Sequence, residues 1–233
     1  MRDSSAAERG SILPLVAVVI TIFIMIMAIA VDFARYIMVS EKLQTATDSA
    51  AIAAAMSGKR YVMLEIDRGS EEVSCPPGVE GPCCSSCPDE IIVSGREDDL
   101  IDNGGYRRYC CDCGCPNPQI LQRWVEYENN GAEARSAAQV YFDLNKPKEM
   151  DSSAGGESYI TSVNVYNNRS SRLYPSVVVQ SHGKVKTLLM NFIDRMYPGT
   201  NASELESSRC AQGGTFYYDL DGKLHRAALE GCN

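Results

Sequence analysis

The hydrophobic pattern of the chain is set by its first stretch. From Ser11 to Val31 twenty-one consecutive residues carry no charge, which at ~1.5 Å per residue spans the roughly 30 Å hydrocarbon core of a bilayer. Pro14 falls in the first turn, where a missing N–H removes no intrahelical bond. Polarity returns at Asp32, yet neither Pro nor Gly occurs until Gly58, so one helix is expected to leave the membrane intact and run to Ser57. Past the span, Phe33, Tyr36, Ile37, Leu43 and Ala50 recur at spacings of three and four. Ala46, Ala50 and Ala54 form a small-residue stripe that would admit another helix closely or pack on the chain's own domain. Phe33, Leu43, Ala46, Ala50 and Ala54 are the candidate helix-packing residues.

After Gly58 the period changes. Lys59 to Asp67 alternates as a short strand. Arg68 to Pro118 is rich in Gly, Pro, Cys and acidic residues and contains one compact apolar run, Ile91-Ile92-Val93, which predicts a loop-rich module around one strand. In Gln119 to Glu128 the residues Ile120, Leu121, Trp124 and Tyr127 fit one side of a helix, and Ala132 to Leu144 fits a second helix. Residues 148–157 read as an exposed loop. Tyr159 to Tyr166 and Leu173 to Ser181 are β-branched and aromatic, and predict a hairpin. Val185, Leu188, Leu189, Phe192, Ile193 and Met196 follow as an amphipathic helix to cover it. Asp221-Gly222 between Thr215–Leu220 and Lys223–His225 is a two-residue hairpin signal.

The fold class is therefore α+β: a long N-terminal transmembrane helix extending into a disulfide-rich periplasmic domain with a small antiparallel sheet and packing helices. The expected division is a cytoplasmic tail (1–10), a transmembrane helix (11–31), a helix extension (32–57), a Cys-rich module (58–118) and an α+β periplasmic domain (119–233).

Composition sharpens this picture in two ways. A net charge of -8 and a pI near 4.9 speak against nucleic acid or anionic lipid as partners, since both call for a basic face. Ten cysteines, namely Cys75, Cys83, Cys84, Cys87, Cys110, Cys111, Cys113, Cys115, Cys210 and Cys232, place the domain where disulfides persist. Arg2 and Arg9 before the span are balanced by Arg35 and Lys42 after it, so the cysteines decide the topology: N-terminus in the cytoplasm, domain in a bacterial periplasm or at the cell surface. Isolated from the other eight, Cys210 and Cys232 are expected to pair.

The cysteine cluster admits two chemistries. One is a disulfide framework. The other is a zinc site from Cys84 and Cys87 with two of Cys110, Cys111, Cys113 and Cys115; the doublets and the Cys-x-Cys-x-Cys run do not form two clean knuckles, and thiols would oxidise in a periplasm. Cys84-Ser85-Ser86-Cys87 has the spacing of a redox pair but lies between Pro82 and Pro88 rather than at a helix start. His182 and His225 have no nucleophile at a motif spacing. No nucleophile elbow, phosphate loop or His-Glu-x-x-His helix occurs, so no catalytic residue, metal or cofactor is expected. Asp151-Ser152-Ser153 does not match a metal-adhesion spacing, and the sequons at Asn168 and Asn201 read as chance. Ala28-Ile29-Ala30 has the form of a signal-peptidase site within a run too long for it. Cleavage after Gly10 would put Leu15 where pilins carry Glu. Both points favour an uncleaved anchor.

The run Arg9-Gly10, an apolar span, Ala30-Val31-Asp32-Phe33-Ala34-Arg35 and then Leu43-Gln44-Thr45-Ala46-Thr47-Asp48-Ser49-Ala50-Ala51 resembles the N-terminal segment of TadE/TadG-like proteins of the bacterial tight-adherence (Flp pilus) system, over about a fifth of the chain. The Ala-rich helix ending Phe142-x-x-Asn145, the strand pair and Val185-x-Thr187-Leu188 are also similar to their downstream region. The resemblance implies a non-enzymatic structural or assembly component of a Flp-type pilus or secretion apparatus in the inner membrane. Its implied partners are other assembly proteins in the inner membrane and periplasm, the lipid bilayer and a second copy of itself. A pilin-like subunit polymerising through this helix and a membrane-anchored metal or thiol-redox protein are the alternatives.

Overall fold

The computed structural model describes residues 12–75, 83–87, 89–187 and 204–232. Its elements are a 45-residue helix α1 (Ile12–Met56), strands β1 (Lys59–Ile66), β2 (Ser70–Val73), β3 (Cys83–Ser86), β4 (Ile91–Arg96) and β5 (Gln119–Glu126), and a second helix α2 (Ala132–Asn145). Strands β6 (Glu157–Tyr166), β7 (Ser176–Lys186), β8 (Glu204–Gly214), β9 (Phe216–Tyr218) and β10 (Leu224–Arg226) follow. The strands form sheets ordered β10-β9-β5-β1-β4, β2-β3 and β6-β7-β8. This is the α+β class expected, with an apolar N-terminal helix followed by antiparallel pairings.

The chain divides into two compact units. The first takes residues 1–47, 142–161 and 180–209. In it, α1 starts with side chains exposed almost without exception from Pro14 to Val31, over a helix long and apolar enough to cross a membrane. Farther along, the same helix is tied to strands by polar contacts, two of them buried. Tyr36 donates to the Glu206 carbonyl at 2.8 Å, and the hydroxyls of Ser40 and Ser207 lie 2.6 Å apart, as do those of Thr47 and Ser181. Gly183 of β7 makes room for the helix: a Cβ there would lie 2.5 Å from the Met150 sulfur and 3.0 Å from Leu43 Cδ2.

The second unit takes residues 48–141, 162–179 and 210–233. Its core is one face of the five-stranded sheet. Alternation along β1 buries Val62, Leu64 and Ile66 completely, with Leu100 and Tyr106 closing over them. Beside β1, β4 pairs in register from Tyr61↔Arg96 to Ile66↔Ile91. The end of α1 meets β8 at Gly213, where a Cβ would stand 2.0 Å from the Ala51 carbonyl oxygen. Val177, Val178 and Val179 are all buried, as befits a strand between two others.

Three expectations change. Gln119–Glu126 is strand β5, not a helix. Its register on β1 passes from Met63↔Gln122 to Leu64↔Ile120, so Leu121 is an extra residue that breaks the two-residue alternation and leaves a spacing that mimics a helical one. The cysteine-bearing segment holds β2 and β3 as well as the expected β4. Finally, β7 starts at Ser176 and runs to Lys186, which places Val185 in a strand; the rest of the helix expected through Met196 lies outside the described residues. The helix over Ala132–Leu144, the strand leaving Gly58 and the strand pair around residue 170 stand as expected. The terminal hairpin forms too, but through a longer connection than two residues: Tyr218 pairs with Leu224 and the turn closes from Asp219 to Gly222, whose φ is +72°.

Candidate functional site

All ten cysteines are in disulfides: Cys75–Cys83, Cys84–Cys113, Cys87–Cys111, Cys110–Cys115 and Cys210–Cys232. Cys84 and Cys87 take different partners, so they are not one exchangeable pair. Among the described residues no group of His, Cys, Asp and Glu is arranged to hold a metal ion. The module is sewn by backbone as well as sulfur. The Cys111 N–H donates to the Arg68 carbonyl at 2.9 Å, the Cys113 N–H to Ser70 at 3.0 Å and the Cys87 N–H to Gly69 at 2.9 Å. Cys110 and Cys115 also pack against the β1 core.

The histidines are structural. His225 lies 15° from parallel over Tyr217, and its Nε2 is 2.6 Å from Asp219 Oδ2. That contact, reinforced by the Lys223 N–H, holds the Asp219 carboxyl below its usual range. His182 Nδ1 sits 3.2 Å from Ser208 Oγ. Asp151 caps a short turn by accepting from the Ser152 N–H at 2.7 Å.

The sheet has a second end, and there the same face turns polar. Arg60 precedes Val62 by two residues and so shares its side of β1. Continuing the β1–β4 register one step sets Glu97 opposite Arg60, while Arg123 of β5 stands opposite Val62. The Glu97 carboxylate, 10% exposed, lies between the two guanidiniums, 3.5 Å from Arg60 Nε and 3.0 Å from Arg123 Nε. Next in line, Tyr218 pairs with Arg123, and Phe216, on the same side of β9, meets Tyr218 edge-on at 6.1 Å. These residues line a cleft of about 560 Å³, together with Met56, Gly58 and Trp124. Phe216 and Met56 are largely exposed, whereas Trp124 is held between Tyr61 and the Arg169 guanidinium. Sequence reading missed this cleft. The signal was the Arg60-x-Val62-x-Leu64-x-Ile66 alternation, which puts a charge at the end of a core face.

Of the candidate helix-packing residues, Leu43, Ala46, Ala50 and Ala54 are fully buried within this chain and Phe33 is exposed. Ala51 and Ala55 beside them receive the backbone of β8 at Gly213. At Ala51 and Ala55 the small side chains thus admit a strand of the chain itself, while Leu43, Ala46, Ala50 and Ala54 are buried within it. Near the exit of the apolar run, Asp32 is buried while Phe33, Ile37 and Met38 face outward.

This long helix, uncovered at its start and packed at its end, is the element that relates the chain to known proteins. Residues 10–57 match the Tad family, described as Flp pilus-assembly TadE/G-like. The Tad segment therefore coincides with α1 and stops at the first turn before β1. The disulfide module and the cleft lie beyond it. No curated protein and no solved structure matches the chain.

Proposed function

We propose that the chain is a single-pass, inner-membrane component of a Flp-type pilus or secretion assembly that acts by binding rather than by catalysis. The observation that carries this is the coincidence of the Tad match with a helix whose first part is apolar and uncovered. In this reading residues 1–10 are cytoplasmic, 11–31 cross the bilayer and 32–57 carry the chain into an oxidising compartment. The disulfides support that orientation, since they persist in a periplasm and not in a cytoplasm. The domain then contacts other assembly proteins or the emerging filament, and the lipid contacts the span.

A clean deletion of the gene should abolish Flp pili while the pilin still accumulates, and re-expression should restore them; unchanged piliation would contradict the assignment. A mature N-terminus at Ser11 in purified filaments would instead identify a polymerising, pilin-like subunit.

A further inference from the structure

We propose that the Arg60–Glu97–Arg123 cleft is a receptor for a peptide C-terminus, taking the terminal carboxylate on the arginines and an apolar terminal side chain on the Phe216–Tyr218–Met56 rim. Three observations lead there. Glu97 engages each arginine most closely through Nε, and neither guanidinium makes a hydrogen bond to another described residue. Buried between them, one carboxylate offsets one of two positive charges and leaves the row net positive in a chain of net charge -8. Glu97 Oε2, 3.5 Å from Arg60 Nε, has no hydrogen-bond partner among the described residues, so Arg60 is held by charge alone and its N–H groups remain to grip a carboxylate in two parallel bonds.

The second observation is the apolar rim. Phe216, Tyr218 and Met56 are 58%, 41% and 79% exposed, side by side with the charged row and within a volume in the range of ligand sites. The third is that the face is sealed one step beyond Arg60, level with Arg123. Val62, next along β1, is fully buried, and Leu100 closes on Gly95 at 3.0 Å from where a Cβ would stand. A chain lying along this face cannot continue past the row, so a terminus fits where an internal segment must turn away. Capture of a terminal carboxylate by fixed donors is an established mode of peptide recognition. The cleft does not depend on the pilus assignment, and binding to the isolated protein is independent of the piliation test above.

The test uses the full chain in phosphatidylcholine nanodiscs. N-acetyl-Gly-Leu-Phe with a free carboxylate, its C-terminal amide, and N-acetyl-Phe-Glu-Gly-amide are titrated by calorimetry and by the emission of Trp124, the single tryptophan. Saturable binding of the free acid, about tenfold or more weaker for the amide, is expected from the loss of one charge-assisted contact. Arg60→Gln, which leaves the Arg123–Glu97 pair in place, should weaken the acid by about tenfold and leave the amide unchanged. Phe216→Ser should weaken both. Equal binding of acid and amide, an acid affinity unaltered in Arg60→Gln, or no binding below about 10 mM overturns the proposal. Equal or tighter binding of the internal Glu peptide would overturn it too, by showing that the arginines read a side-chain carboxylate.

Discussion

In the cysteine-bearing segment disulfides add to backbone hydrogen bonds and to the few core contacts of Leu100 and Tyr106, and along β7 and β8 bare backbone lets the helix come close. The first segment offers few apolar side chains, and four disulfides tie it together. The strands have glycine where a helix must come close, at Gly183 against Leu43 and at Gly213 against Ala51. A covalent link acts chiefly on the unfolded chain and tolerates a poor core. Close approach acts on the folded chain and demands small residues on both sides. The two strategies should fail differently, and that difference can be measured.

The largest expected effect is on the packed side. Ala50→Asp buries an unpaired carboxylate at a position with no exposure and should cost more than about 4 kcal/mol. Urea unfolding followed by far-ultraviolet circular dichroism would register it as loss of the folded baseline; a near-native midpoint would mean that this face is open. Next is the Cys84–Cys113 bond, which closes 29 residues. Replacing both by Ser should cost about 3–4 kcal/mol on loop-entropy grounds, while the Cys110–Cys115 pair, separated by 5 residues, should cost about 2 kcal/mol. Equal losses from the two pairs would show that sulfur there does more than shorten the unfolded chain.

Smaller again is the contrast between the glycines. Gly213→Ala meets a backbone carbonyl that cannot turn aside and should cost about 2–3 kcal/mol. Gly183→Ala meets the Met150 sulfur and a leucine methyl, side-chain ends that can shift, and should cost about 1 kcal/mol. Reversal of that order in thermal melts would remove backbone proximity as the reason for Gly213.

The smallest effect is electrostatic and lies in the terminal hairpin. The His225 hydrogen bond, with help from the Lys223 N–H, lowers the Asp219 pKa. A depressed carboxyl stabilises at pH above its ordinary value of about 3.9, and that contribution is lost as pH falls through the folded value. Carboxyl carbon shifts should therefore show Asp219 titrating below the exposed aspartates, and Asp219→Asn should flatten the acid dependence of the hairpin. An ordinary midpoint for Asp219 would contradict the hydrogen bond.

Much of the fold is legible in local pattern. The charge-free run and the absence of Pro and Gly from Asp32 to Ser57 specify α1, alternation specifies β1, and Asp221-Gly222 marks the β9–β10 turn. What fails locally fails for a reason of pairing. The extra Leu121 hides the period of β5, a feature that exists only opposite β1. In the same way Ala46, Ala50 and Ala54 announce a close approach, but the sequence does not say of what. The Arg60–Glu97–Arg123 row is harder still, because Glu97 reaches Arg60 only through the β1–β4 register. By contrast the pairing of Cys210 with Cys232 was open to reading from their isolation, while the eight clustered cysteines admit 105 connectivities.

The claim on which the rest depends is that a membrane span delivers this domain, oxidised, outside the cytoplasm. Membranes are quenched in acid, alkylated with and without prior reduction, and the intact mass of the extracted protein is determined. The account predicts no alkylated thiol before reduction and ten after it, matching the ten paired cysteines. Several thiols labelled without reductant, or only after a chelator, would contradict it and restrict the Tad resemblance to the anchor.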